Sequence, residues 1–164
     1  MKTTPKNIIE PMEIAFKEAK KAYETNEVPV GAVITDSHGN IISRAFNQVE
    51  TQQDPTAHAE ILAIKRATFK IGNKRLTNCN LYVTLEPCSM CASAIEQSRI
   101  KRLYFGCEDH KKGAVNNGAK IFNQKSCNHK PEIYDGIKEK ECSNLLKEFF
   151  KSLRKNKLNI MNLL

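Results

Sequence analysis

The sequence predicts a layered α/β fold with a mixed sheet. Two β-rich runs, Val28 to Thr35 and Ile41 to Phe46, flank the turn-forming residues 36–40, which is typical of an antiparallel hairpin. Later in the chain an apolar strand, a helical stretch and a second apolar strand follow one another. That order favours parallel pairing through a right-handed crossover. The sheet is therefore expected to contain antiparallel and parallel strands, with helices packed against it.

The first half of the chain predicts two helices around the hairpin. Apolar residues recur every three or four positions behind Pro11, which favours an amphipathic helix over residues 11–25. Residues 54–56, with the sequence DPT, can cap a second helix from about Ala57 to Ile71, and the glycine that follows can end it. This second helix opens just before His58.

The second half predicts two strands joined by a helix, then an irregular segment. Leu81 to Leu85 and Lys101 to Cys107 are strand-like, and the helix between them begins at Pro87 and runs to about Ser98. From Asp109 to Ile137 glycines and prolines interrupt any periodicity, which indicates a loop with short elements. Such loops often carry functional residues.

A last helix is predicted to be amphipathic, with one apolar and one basic face. Its apolar residues are Leu145, Leu146, Phe149, Phe150 and Leu153, and its basic residues are Lys147, Lys151, Arg154 and Lys155. The formal net charge of +8 favours polyanionic partners such as nucleic acid. A basic helix face is as often simply solvated, so charge alone does not decide between these two interpretations.

The length of 164 residues fits one domain with a single core. We expect residues 1–157 to form that domain and residues 158–164 to form a short tail. No run approaches the roughly 18 apolar residues of a membrane span, and the N-terminal residues lack the apolar segment of a secretion signal. We therefore expect a cytoplasmic protein with no membrane partner. The six cysteines fit metal binding or catalysis better than disulfides.

Three residues form a candidate zinc site. Catalytic zinc takes three protein ligands, often His and Cys, and keeps a fourth position open for water. Cys88 and Cys91 are three residues apart, on one face of the predicted helix, so both sulfurs can reach one metal. His58 lies in the first turn of its own helix and can reach a metal beyond the helix end. The partial positive charge of a helix N-terminus favours thiolates as ligands.

Glu60, two residues after His58, is the candidate proton carrier. Zinc lowers the pKa of a bound water towards about 7, and a carboxylate beside it can accept a proton and pass it to the substrate. His58-Ala59-Glu60 followed by the sequence PCSMC at residues 87–91 is the recognised signature of zinc-dependent nucleobase deaminases. The predicted reaction is hydrolytic removal of an exocyclic amine.

Two alternatives, a structural zinc site and a redox cysteine pair, account for fewer of these residues than a catalytic zinc site does. A structural zinc site needs a fourth ligand, for which Cys79 and Cys107 are the candidates, and it makes Glu60 an ordinary surface carboxylate. A redox CxxC gives no role to His58 or Glu60. The spacing singles out no fourth ligand, which favours the catalytic site.

At these residues the chain resembles the cytidine deaminase superfamily and, within it, the tRNA-specific adenosine deaminases. The likeness runs through residues 27–33, with the sequence EVPVGAV, then Asn47, and then residues 54–60, with the sequence DPTAHAE. It continues through residues 81–92 and 98–100. Altogether it covers roughly residues 9 to 156.

The resemblance implies a three-layer α/β/α fold with a mixed five-stranded sheet, a homodimer, and one zinc ion per subunit with no organic cofactor. It also implies deamination of adenosine to inosine at the wobble position of a tRNA, so the anticodon stem-loop is the expected partner. Asn47 would hydrogen-bond the target base, and Asp109 and Lys111 would contact the RNA beside it. Without the resemblance, Asn47 is interpreted as a turn residue and the other two as part of a solvated loop.

Two rival functions stay open. A deaminase of a free nucleobase such as guanine or cytosine would share the zinc site, although a free base does not require a basic C-terminal helix. A non-enzymatic RNA-binding module would not depend on Glu60. Residues 115–118, with the sequence VNNG, depart from the Gly- and Ser-rich pattern of the family, which leaves the RNA contacts of that loop open.

Overall fold

The computed structural model describes residues 7–161, which form one mixed sheet between two layers of helices. The five strands are β1 (Gly31–Thr35), β2 (Ile41–Phe46), β3 (Asn80–Leu85), β4 (Arg102–Cys107) and β5 (Glu132–Tyr134). Their order across the sheet is β2-β1-β3-β4-β5. β1 pairs antiparallel with β2 and β3, whereas β4 pairs parallel with β3 and β5. The predicted hairpin, crossover and mixed sheet are confirmed.

Helices cover both faces of the sheet. They are α1 (Ile9–Glu24), α2 (Val49–Gln52), α3 (Ala59–Ile71), α4 (Ser89–Gln97) and α5 (Glu139–Met161). Successive residues of a strand point to opposite faces, so in β1 Ala32 and Ile34 join the core with α3 and α4, while Val33 joins the core with α1. α5 packs against β4 and α1 on that second face. The three-layer arrangement implied by the resemblance is therefore confirmed.

Both helices that carry candidate ligands begin later than predicted. α3 begins at Ala59 because His58 has an extended backbone, with φ −72° and ψ 151°, and is the residue that caps the helix. α4 begins at Ser89 because Cys88 is extended in the same way, with φ −73° and ψ 175°. In each case the carbonyl of the capping residue accepts the first hydrogen bond of the helix. A candidate metal ligand therefore stands at each helix entrance.

Residues 109–137 form the predicted loop with short elements. Within it are a 3-10 turn at Ile121–Asn123 and strand β5, which is only three residues long. β5 pairs with β4, and the ring of Tyr134 stacks on that of Tyr104 with centroids 4.9 Å apart. Tertiary pairing rather than local periodicity therefore determines this strand.

The final helix is longer than its apolar stripe. α5 runs on to Met161, and residues 162–164 lie outside the described part of the chain, so the tail at 158–164 stays a prediction. None of the described helices is long and apolar enough to cross a membrane.

Candidate active site

The three candidate metal ligands meet at the edge of the sheet where β3 and β4 end. His58 caps α3, Cys88 caps α4, and Cys91 lies in the first turn of α4. The Nδ1 atom of His58 is 3.7 Å from the Sγ atom of Cys88 and 3.5 Å from that of Cys91. All three ligand atoms lie within 4.8 Å of one another. The structure thus brings together the three residues that the sequence selected.

The spacing of these atoms fits a tetrahedral zinc ion. A zinc bound to nitrogen at about 2.0–2.1 Å and to sulfur at about 2.3 Å holds those two atoms about 3.6 Å apart. Within residues 7–161 no fourth His, Cys, Asp or Glu joins the group. Cys79 belongs to the apolar core, and the thiol of Cys107 donates to the carbonyl of Thr84 at 3.6 Å. The two candidate fourth ligands of a structural site are therefore elsewhere, and a zinc ion held by these three residues would keep one position for water.

The two cysteines perturb one another. A hydrogen bond with Cys91 lowers the pKa of the Cys88 thiol to about 4, and the same bond raises the pKa of Cys91. The hydrogen bond to Cys88 also raises the pKa of His58. A thiolate is therefore already favoured at Cys88, and a bound cation would favour the second one. Two thiolates balance the charge of a divalent zinc ion.

Glu60 is the second residue of α3 and is only 4% exposed. It lines the same cleft as His58 and Cys88 but does not belong to the ligand group. Burial raises the pKa of its carboxyl to about 7. A carboxyl that titrates near neutral pH is well suited to accept a proton and then release it.

Asn47 is buried beside the metal ligands. Its Oδ1 atom accepts a hydrogen bond of 2.8 Å from the backbone N–H of Ala59, the first residue of α3. The N–H groups of a first helical turn lack partners within the helix, so this bond stabilises the helix entrance. It also fixes the orientation of the amide, since only the oxygen can accept. The group that Asn47 offers to the cleft is therefore a hydrogen-bond donor.

Asp109 and Lys111 lie on the loop that follows β4, and both line the cleft. The Oδ1 atom of Asp109 accepts the backbone N–H groups of Lys111 and Lys112, each at 3.0 Å. Asp109 is half-buried, whereas Lys111 is exposed. The Asp109 carboxylate therefore shapes the loop, and the Lys111 ammonium group is free to approach a ligand.

One cleft of about 1240 Å³ connects these residues with the C-terminal helix. Five of the predicted site residues besides Glu60 line it, and they are Asn47, His58, Cys88, Asp109 and Lys111. Cys91 lies beneath its floor, fully buried. From α5 come both apolar and basic side chains, among them Phe150, Lys147 and Arg154. The cleft is thus large, and helix α5 borders it with both apolar and basic side chains.

Two buried carboxylates beside the cleft were not singled out from the sequence. Glu27 accepts the backbone N–H of Thr51 at 2.6 Å and that of Glu50 at 3.2 Å, which holds the start of α2. Glu86 is 2% exposed, and although burial raises its pKa, hydrogen bonds from Asn117 and neighbouring N–H groups bring it below its usual range. The sequence does contain a feature that could have identified them. Each is an acidic residue directly beside an apolar strand-like run, where a buried charge is unfavourable unless it is paired.

Comparisons with known proteins agree on the family. Residues 5–107 match the model of the cytidine and deoxycytidylate deaminase zinc-binding region. A guanine deaminase from Bacillus subtilis has a similar structure at 32% identity, with a TM-score of 0.61 over 78% of this chain and 84% of the other. The chain therefore shares its fold with a deaminase that is named for a different base, guanine.

The two relatives with higher sequence identity are both tRNA adenosine deaminases. A tRNA-specific adenosine deaminase from Agrobacterium fabrum is 47% identical over 143 residues, which cover 87% of this chain and 93% of that protein. A structure from a study of A-to-I editing by tRNA:A34 deaminases at the wobble position of transfer RNA is also 47% identical, with a TM-score of 0.82. That match covers 84% of this chain and 99% of the other. The chain belongs to the tRNA-specific adenosine deaminases, a family with a zinc-binding deaminase region.

Proposed function

We propose that this chain is a zinc-dependent hydrolase that converts adenosine to inosine at the wobble position of a tRNA anticodon, in the cytoplasm. The observation that carries the proposal is the single cleft in which the metal-ligand group, Glu60, Asn47 and the loop with Asp109 meet. The similarity to wobble adenosine deaminases at 47% identity identifies the base and its position.

In this proposal His58, Cys88 and Cys91 hold one zinc ion per subunit. Zinc bound at such a site supplies a water whose pKa is lowered towards about 7. Glu60 would accept a proton from the water as the water oxygen bonds to the carbon that carries the exocyclic amine. It would then deliver that proton to the amine, so that the C–N bond breaks and ammonia leaves. Its buried position beside the ligands, and a pKa near 7, suit both halves of that proton transfer.

Asn47 is proposed to orient the target base. The amide oxygen is engaged by the backbone of α3, so the amide N–H group can donate to a ring nitrogen of adenine. Because the same bond holds the entrance of the helix that carries His58 and Glu60, the base contact and the metal ligands share one rigid support. This couples base position to the reacting water.

The RNA must present its base out of the stack. Unstacking costs a few kcal/mol, and the cost is smallest in a loop that is already single-stranded, such as an anticodon loop. We propose that Asp109 and Lys111 lie beside the extruded base, where the exposed ammonium group of Lys111 can approach a phosphate. Lys147 and Arg154 of α5 border the same cleft and could contact further phosphates.

We also propose that the chain is a homodimer. Large apolar side chains stand exposed at the C-terminal end of α3, where Phe69 is 90% and Ile71 is 44% exposed. Such a surface is unfavourable in water unless it is covered. Light scattering after size exclusion would give twice the chain mass, and a monomer at micromolar concentration would contradict the proposal.

The function is tested with zinc-loaded protein and an anticodon stem-loop that carries adenosine at the wobble position. We expect inosine at that position and no ammonia from free adenine, guanine or cytosine supplied in parallel. A stem-loop with guanosine at the same position is the matched control and should stay unchanged. The structural similarity to a guanine deaminase makes free guanine the second candidate substrate. Ammonia from guanine with intact RNA would replace the proposed substrate while keeping the chemistry.

A further inference from the structure

We propose that Glu86 is a positioning residue that fixes the loop of residues 108–117 against the metal-ligand segment, and so places Asp109 and Lys111 for RNA. The choice of RNA as the ligand rests on the proposed function, whereas the anchoring of the loop rests on the structure alone.

The carboxylate of Glu86 receives five hydrogen bonds, all from the 108–117 loop. Its Oε1 atom accepts the backbone N–H groups of Val115 at 3.1 Å, Asn116 at 2.8 Å and Asn117 at 2.9 Å. Its Oε2 atom accepts the backbone N–H of Asp109 at 3.0 Å and the side-chain amide of Asn117 at 2.8 Å. Successive N–H groups that converge on one anion form a strong and directional site.

Glu86 holds the loop at both of its ends. The bond to Asp109 fixes the start of the loop, and the bonds to residues 115–117 fix its end. Lys111 stands between these anchors and is exposed, and its backbone N–H is bonded to the carboxylate of Asp109. The position of both predicted RNA contacts therefore depends on one buried side chain.

The same residue joins the loop to the metal ligands. Glu86 is two residues before Cys88, and Pro87 between them accepts a 2.9 Å hydrogen bond from the N–H of Ala114. Gly113 forms a β-bridge with Cys88. A Cβ atom at Gly113 would collide with the Glu86 carboxylate and with the carbonyl of Asp109, so the loop lies directly on the carboxylate.

Burial makes this arrangement rigid. Glu86 is 2% exposed, and a buried carboxylate without partners is strongly unfavourable. If the loop lifted away, five donors would leave the carboxylate at once. The folded loop is thereby favoured before RNA arrives, which reduces the entropy lost on binding.

The experiment compares Glu86→Gln with Glu108→Gln, measuring inosine formation on the anticodon stem-loop together with amide hydrogen exchange. In Glu86→Gln the charge is lost and an NH2 donor replaces one acceptor oxygen, so protection is expected to fall at the anchor that faces the NH2 group, either Asp109 or residues 115–117. KM for the stem-loop is expected to rise about tenfold while kcat changes less than about threefold, as for the loss of a hydrogen bond to a charged group. Zinc content should remain that of the unsubstituted protein.

Glu108→Gln is the charge-matched control. Glu108 is exposed on the same loop, and its carboxylate accepts the side-chain amides of Asn116 and Asn117 rather than the backbone N–H groups that bond Glu86. Removing a negative charge near a polyanion favours binding, so KM should fall or stay constant in this variant. KM is therefore expected to rise in Glu86→Gln and not in Glu108→Gln. An equal shift of KM in both would overturn the positioning role.

Asn117→Ala tests the proposal without altering a buried charge. It removes the side-chain donor at 2.8 Å from Glu86, together with the longer contacts of the same amide to Glu108 and His110 at 3.3 Å. KM should rise by a smaller factor than in Glu86→Gln, with reduced protection at residues 115–117. Unchanged exchange and unchanged KM in both Asn117→Ala and Glu86→Gln would contradict the proposal. If the unsubstituted protein forms no inosine, the function fails, yet the exchange experiment still decides whether Glu86 anchors the loop.

Discussion

At the scale of single residues, the capping positions of His58 and Cys88 combine two requirements. A capping residue is extended, so its side chain leaves the helix axis and can reach a metal beyond the helix end. The helix N-terminus also carries partial positive charge, which favours the thiolate at Cys88. One backbone arrangement therefore orients the ligands and favours their metal-binding form.

Glu60→Ala separates proton transfer from metal binding. Proton transfer by a positioned side chain is worth about 100-fold to 10,000-fold in rate, so inosine formation should fall by at least about 100-fold. Zinc content, measured by elemental analysis, should stay at that of the unsubstituted protein because Glu60 is outside the ligand group. Glu50→Gln, an exposed carboxylate at the rim of the cleft, is the control and should keep most of the activity. Normal turnover by Glu60→Ala would revive the non-enzymatic RNA-binding alternative.

Cys88→Ser and Cys127→Ser distinguish a ligand from a merely structural thiol. Serine is a poor zinc ligand, so zinc bound per chain should fall well below one for Cys88→Ser. Cys127 donates to the carbonyl of His129 at 3.2 Å, a bond that a serine hydroxyl can also make. Cys127→Ser should therefore keep both zinc and activity. Full zinc content in the Cys88 variant would rule out the proposed ligand set.

The metal-ligand group could be predicted from the sequence because its chemistry demands particular residue types. His58, Cys88 and Cys91 are found together in the structure, as predicted. The role of Glu86 could not be predicted, since its partners are backbone N–H groups of a loop without periodicity. The functions of Asn47, Asp109 and Lys111 depend on the resemblance, and their positions beside the cleft are compatible with it.

At the scale of elements, α5 is an amphipathic helix whose apolar face is only partly covered. Phe149 is 3% exposed and packs edge to face on Tyr23 of α1 with ring centroids 5.6 Å apart. Its neighbour Phe150 is 42% exposed and borders the cleft. The apolar pattern predicted the helix but not that Phe149 is buried while Phe150 is exposed, because tertiary packing determines which residues each face of the helix contacts.

Phe149→Ala and Phe150→Ala test this difference in burial with the same chemical change at adjacent positions. Truncating a buried phenylalanine costs about 3–5 kcal/mol of unfolding free energy, whereas the change at Phe150 should cost less than about 1 kcal/mol. Urea unfolding followed by circular dichroism measures both. Equal losses would mean that Phe149 and Phe150 are buried to the same extent, contrary to this packing of α5.

At the scale of the whole molecule, the site lies where several elements end together. The carboxyl ends of β3 and β4, the entrances of α3 and α4, and one side of α5 all border the same cleft. The sequence predicted the parallel strand pair and, to within two residues, both helix entrances. These elements bring the metal ligands together at one end of the sheet. The contribution of α5 to the cleft could not be predicted, because the connection through residues 109–137 has no regular pattern.

The net charge of +8 predicts that binding of the stem-loop weakens steeply as salt is raised. Each phosphate contact contributes roughly −0.7 to −0.9 to the slope of log affinity against log salt, because the contact releases a counterion. Lys147 and Arg154 border the cleft on α5, so replacing both with glutamine should make the slope shallower by about one to two units. The matched control replaces Lys65 and Lys74, exposed lysines that do not line the cleft, and should leave the slope almost unchanged. Equal slopes for both double variants would show that the basic face of α5 is only solvated and that the polyanion is held by another surface.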